Sequence, residues 1–89
     1  MKAIVTVVGK DQVGIIASVC VQLASYNVNV LDIRQTVMQG YFTMMMIVDV
    51  TDSNLPLAEL AKVMEEKGKE QNLSIRLQRE DIFEAMHRI

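Results

Sequence analysis

Eighty-nine residues allow one domain with a single small core, and a composition 51% hydrophobic and 22% charged argues against disorder. Nine lysines and arginines against eleven aspartates and glutamates give a formal charge of -2 without a dense basic run, so general nucleic-acid binding lacks its electrostatic basis. Apolar runs stop short of the ~20 residues that span a bilayer, no signal-peptide pattern leads the chain, and Cys20 is the only cysteine, which excludes an internal disulfide and fits a cytoplasmic protein.

Residues 3–8 are short, apolar and β-branched, and predict a first strand stopped by Gly9. The turn Gly9-Lys-Asp-Gln-Val-Gly14 then feeds an amphipathic segment from Ile15. A strand that ends in a glycine-bounded turn and opens a helix aims several backbone N–H groups at one point. Unpaired amides and the helix dipole favour an anion there. Ile15, Ile16, Val19, Cys20, Leu23 and Ala24 recur at helical spacing to about Tyr26, and Asn27 tolerates the left-handed conformation that ends helices. Cys20 on this stripe reads as a small buried hydrophobe, since no basic partner makes it a nucleophile. A second polar cluster, Asn27-Val-Asn29-Val-Leu-Asp32, begins where the helix ends. Together the two clusters point to a small pocket for a carboxylate-bearing ligand, with no catalytic centre.

Residues 28–37 alternate, with Leu31, Ile33 and Val37 on one side and Asp32 and Arg34 on the other, which predicts a strand with one wetter face. Gln39-Gly40 offers a tight turn and residues 41–50 a third strand, so the two form a hairpin. Phe42, Met44, Met46 and Val48 share one face of that strand, Met45 and Ile47 the other. Both faces are apolar and the helices can cover only one, so the second is expected to be buried by another subunit or by Phe83 and Met86 of the tail. Alternation also splits the methionines between faces, which disfavours a thioether metal site. Asp52-Ser-Asn54 supplies capping side chains, Pro56 fits a first helical turn, and Leu57, Leu60, Ala61 and Met64 form a core-facing stripe. Gly68 marks a weakening or end of this second helix. Leu73, Ile75 and Leu77 alternate with Ser74, Arg76 and Gln78 as a fourth strand, whose Arg76, Arg79 and Glu80 suit an edge. Residues 81–89 predict a short helix with Ile82, Phe83, Met86 and Ile89 on one side. The lone histidine, His87, reads there as a solvated or packing residue.

The order β-α-β-β-α-β defines an α+β, ferredoxin-like sandwich: a four-stranded antiparallel sheet with both helices on one face, strands one and three central. Residues 1–80 make the domain, and 81–89 a C-terminal helical tail on the domain or its dimer partner.

The chain resembles the ACT domain, and is similar to its small stand-alone forms in bacteria and archaea. The resemblance rests on Gly9-Lys-Asp11-Gln-Val-Gly14, Ile15-Ile-Ala and Asn27-Val-Asn29-Val-Leu-Asp32-Ile, with Val13 where the family usually has proline. It implies a homodimer that binds an amino acid at its interface, between the strand-one turn and the start of strand two. The site residues it implies are Asp11, Val13, Gly14, Asn29, Asp32 and Ile33, with Val13 and Gly14 acting through backbone N–H groups. Gly14 lets a carboxylate approach the backbone, Asn29 offers a donor and an acceptor, and Asp11 can pair with an ammonium. Plainer roles are a helix cap for Asp11 and a turn for Asn29.

The expectation is a non-enzymatic regulator without cofactor or metal, sensing an amino acid or similar small carboxylate and signalling to a separate effector protein. The alternative is a ligand-free dimeric adaptor. An acylphosphatase-like enzyme would need an arginine in the first loop, where Gln12 and Val13 stand. RNA binding would need exposed aromatics on the central strands, and strand one has none.

Overall fold

The computed structural model describes residues 1–81. Its elements are β1 (Lys2–Lys10), α1 (Ile15–Ser25), β2 (Asn29–Met38), β3 (Tyr41–Asp49), α2 (Leu57–Glu70) and β4 (Leu73–Arg79). The strands form one antiparallel sheet in the order β2-β3-β1-β4. β1 and β3 are therefore central and β2 and β4 are edges, the ferredoxin-like arrangement expected. The predicted tail helix lies, from residue 82 onward, outside the described residues. Among those described, no helix is long and apolar enough to cross a membrane.

Period-two alternation decides what each central strand buries. Ala3, Val5 and Val7 of β1, and Phe42, Met44, Met46 and Val48 of β3, turn inward with Leu73, Ile75 and Leu77 of β4. Ile15, Val19 and Leu23 of α1 and Leu60 and Met64 of α2 close the same cluster, so both helices cover one face. Each full burial of such a side chain contributes about 1.5–3 kcal/mol. Cys20 is partly buried against this core, as a small hydrophobe should be. On the opposite face Met45 stays 38% exposed, and the methionines are split as the alternation predicts.

Turn chemistry follows the sequence in two places. Asn27 has φ 61 and follows the last turn of α1. Gln39 and Gly40 have φ 49 and 82, the positive values at both central positions that match a hairpin's twist. Asp11 N–H donates to Gly40 O at 2.8 Å, which ties the turn after β1 to this hairpin tip.

Three local readings need correction. Gly9 does not stop β1, which runs on to Lys10; a Cβ there would lie 2.6 Å from Leu73 Cδ2, so its smallness admits β4. Gly68 does not end α2 either. It is buried two residues before the helix ends, and a Cβ would come within 2.9 Å of Leu73 O and 2.8 Å of Ile75 Cγ1. The third concerns capping: Pro56 is itself the N-cap of α2, no side chain caps the helix, and Ser53 Oγ instead bonds the Leu55 backbone.

β2 carries an irregularity that simple alternation missed. Val30 pairs with Val48 and Asp32 with Ile47, so Leu31 is an extra residue at a bulge. The bulge reverses the alternation and lets Val30, Ile33 and Val37 all share the side of the helices.

Because the Gly68 contacts include backbone, Gly68→Ala should destabilise by overpacking. The expected cost of about 1–3 kcal/mol outweighs the ~1 kcal/mol gain in helix propensity. Denaturant titration should show a lower midpoint at unchanged slope; an unchanged or higher midpoint would contradict the close approach.

Candidate functional site

The turn after β1 is held from two sides. Gln12 Nε2 donates to Gln71 O at 3.1 Å, and Gln71 Nε2 donates to Ser18 Oγ at 2.8 Å, binding turn and α1 to the α2–β4 junction. Gly14, at φ 85, caps α1 with its backbone, and the first helical bond runs from Ser18 N–H to Gly14 O at 2.9 Å. Ile15, Ile16 and Ala17 therefore have no intrahelical acceptor for their amides. The Asp11 side chain neither caps the helix nor forms a hydrogen bond or ion pair among the described residues, so its carboxylate is available.

These groups open on a cavity of about 270 Å³. Asp11, Gln12, Gly14, Ile15, Ile16 and Ala17 line it from the turn and helix, Gln35 and Val37 from β2, and Phe42 from β3. The arrangement sets helix amides and a carboxylate beside an apolar wall. It contains donors for an anion and an acceptor for a cation, and no paired nucleophile and base. Among the described residues, no group of three or more histidines, cysteines, aspartates or glutamates stands close enough to hold a metal ion.

Of the six residues implied by the resemblance, the chain brings Asp11 and Gly14 to this cavity. Val13 belongs to the turn, but its side chain is fully exposed and does not line it. The other three lie elsewhere because β1 and β2 run parallel on either side of β3. Lys10, Tyr41 and Met38 share one end of the sheet, and Lys2, Asp49 and Asn29 the other. The nine steps from Asn29 to Met38 span about 30 Å. Asn29 lines a separate cleft of about 450 Å³ with Ala24, Asn27, Val28, Asp49 and Asp52. Its plainer role in a turn falls instead to Asn27, whose Nδ2 donates to Asp52 O at 2.9 Å. Asp32 borders a cavity on the face away from the helices, and Ile33 sits on the outer flank of β2.

Gln35 and Val37 were missed by the sequence reading. A signal existed for Gln35: it is the polar residue interrupting the apolar positions Ile33 and Val37 on one side of β2. That flank is otherwise bare, with Leu31 46%, Ile33 37% and Val37 53% exposed. Beside it runs the free backbone edge of a ten-residue strand.

The opposite cleft has its own electrostatics. Thr51 Oγ1 donates to Asp49 Oδ1 at 2.6 Å and Thr51 N–H at 2.9 Å. These bonds, with the Met1 ammonium, hold the Asp49 carboxyl below its ordinary value.

Fold and turn thus define a ferredoxin-like domain with an open helix N-terminus near a free sheet edge. The family profile of the ACT domain matches residues 2–78. A UPF0237 protein of Bifidobacterium longum is 53% identical over 99% of this chain and 98% of its own length. A UPF0237 protein of Clostridium acetobutylicum is 49% identical over the whole of both chains. Among solved structures, an ACT domain protein from Streptococcus pneumoniae superposes with a TM-score of 0.83 at 45% identity, covering 98% of each chain. The chain belongs to the ACT domain family, whose members are regulatory, small-molecule-binding domains.

At Gly14 a Cβ meets nothing within 4 Å, so the cost of Gly14→Ala is that of the backbone alone. It should be about 1–2 kcal/mol in a denaturant titration, with Gly14→Asn milder because asparagine visits this region more readily. Equal stability of Gly14→Ala and the parent would refute the left-handed turn. Thr51→Val should raise the Asp49 titration toward the usual carboxylate range, as read by carboxyl NMR. A depressed folded value stabilises above the unfolded value and is lost as pH falls through the folded one, so this variant should lose less stability on acidification. An unmoved titration would contradict the assigned cause.

Proposed function

We propose that the chain is a non-enzymatic sensor: a homodimer that binds an amino acid or similar small carboxylate at its subunit interface and signals to a separate effector protein. The observation that carries this reading is the juxtaposition of the turn cavity with the unpaired, apolar-flanked edge of β2. A long free edge flanked by exposed apolar side chains favours pairing with another chain, and the commonest pairing is two-fold and isologous. A two-fold axis normal to the sheet near the middle of β2 sets the beginning of one β2 beside the end of the other. Asn29 of the partner subunit then comes toward the end where Gln35 and Val37 line the cavity. Ile33 of each subunit lies near the axis.

In such a dimer the helix amides take the ligand carboxylate and Asp11 its ammonium. Asn29 of the partner subunit supplies a donor and an acceptor, and the cavity gains the wall it lacks in one chain. Its volume, just under the ~300–1,000 Å³ of complete ligand sites, suits half of a shared site. Binding that needs both subunits favours the dimer over the monomer, which gives an effector two states to distinguish. The reading places the protein in the cytoplasm.

The test is mass in solution and thermal stability, with and without a pool of the common amino acids. A ligand at a hundred times its Kd should stabilise by about 2.7 kcal/mol, a shift of at least several degrees. Val37→Glu should yield monomers and abolish that shift. A dimer indifferent to every amino acid would instead support the ligand-free adaptor, and a wild-type monomer would defeat both.

A further inference from the structure

The sheet face away from the helices carries an apolar strip framed by cations. Met45 is 38%, Val8 42% and Tyr41 57% exposed along it, and Ile4 and Ile47 line a cavity of about 260 Å³. Arg34 of β2 pairs with Met45, Met45 with Thr6, and Thr6 with Arg76 of β4. One rung thus crosses the sheet with an arginine on each outer strand. Lys2 and Lys10 stand on the same face at the two ends of β1, because Ala3, Val5 and Val7 turn the other way.

None of these four cations forms a hydrogen bond or ion pair among the described residues. The two aspartates on the face are engaged within the chain. Asp32 Oδ1 accepts from the Ile33 N–H at 2.9 Å, and Asp49 Oδ1 accepts from Thr51 and the Met1 ammonium. Four cations against two aspartates give the strands of this face a formal +2, whereas the whole chain is -2. A second copy covers such a face poorly. A two-fold axis through the rung, along the strands or across them, sets arginine over arginine, and like charges face to face cost affinity. Nucleic acid is disfavoured as well, since Tyr41 is the only aromatic side chain on this face and bases need a stacking platform.

We propose that this face docks an amphipathic, acidic helix of the effector protein, laid along β1 and β3. Its apolar stripe rests on Val8, Met45 and Ile47, and its carboxylates reach Arg34 on one side and Arg76 on the other. The dimensions fit. β2 and β4 lie three strand spacings apart, about 14 Å, which straddles a helix about 10–12 Å across. From Lys2 to Lys10 the strip runs about 27 Å, the length of about 18 helical residues. Buried apolar contact supplies the attraction, and the unpaired cations select an acidic partner and its orientation. That the helix belongs to an effector rests on the sensor reading above; the docking itself needs one chain, with neither ligand nor dimer.

The test uses two helical peptides of about 18 residues with the same leucine stripe, one flanked by glutamates and the other by lysines. Each is titrated into the whole chain and followed by methyl NMR. No amino acid is present, so this result and that of the ligand test are independent. The acidic peptide should shift the methyls of Ile4, Met45 and Ile47 and leave those of the core residues Ile15 and Ile75 in place. Arg34→Glu combined with Arg76→Glu should weaken its binding roughly tenfold and strengthen binding of the lysine peptide, with Ile15 and Ile75 again reporting an intact core. No binding, equal binding of the two peptides, or shifts centred on Ile33 of the other face would overturn the proposal. So would Ile4 and Ile47 shifts that follow protein concentration, which would assign the face to a second copy, or displacement of the acidic peptide by single-stranded RNA. Binding that appears only when the chain is cut after Asp81 would overturn it too, since the face would then be taken in the intact chain.

Discussion

The antiparallel ladder between β1 and β3 runs unbroken from Lys2–Asp49 to Lys10–Tyr41, and the rest of the molecule depends on it. Because these strands are central, their alternation selects the core on one side and leaves a second apolar surface on the other. The same ladder fixes what meets at each end of the sheet. At one end the turn holding Gly14 is bonded to the hairpin tip at Gly40; at the other, Asn29, Asp49 and the exit of β4 gather. The two polar clusters of the sequence are thus separated by the length of the sheet within one chain.

That separation explains what the sequence could and could not reveal. Element order and central strands were legible because period-two and helical patterns are local and strong here, as in Phe42–Val48 and Ile15–Leu23. The helix stop at Asn27 and the hairpin at Gln39-Gly40 were legible because few residues take positive φ readily. Gly9 and Gly68 misled for a common reason. Glycine punctuates local structure, but it also admits a close neighbour, and only tertiary contacts with Leu73 and Ile75 distinguish the two uses. The bulge at Leu31 was hidden because simple alternation and the bulged register both put Ile33 and Val37 on one side.

The candidate site was half legible. Asp11 and Gly14 signal themselves through a turn that opens a helix, a local feature. Gln35 does not, since its significance comes from facing that turn across the fold. Asn29, Asp32 and Ile33 entered through family resemblance, and within one subunit they occupy three different surroundings. The shared site proposed above would reconcile the resemblance with the topology, because a two-fold operation exchanges the ends of the sheet.

The two edges are also unequal. β4 is short and is followed at once by a helical turn; β2 is longer and bulged near its start, with a ladder beyond the bulge that is regular to its end. An edge of the first kind resists a new strand, and one of the second kind accepts it. Each chain therefore has an association valence of one in the plane of the sheet. In the proposed dimer, joining two β2 edges would consume that valence on both sides, so such a pair would close and would not lengthen into a fibre.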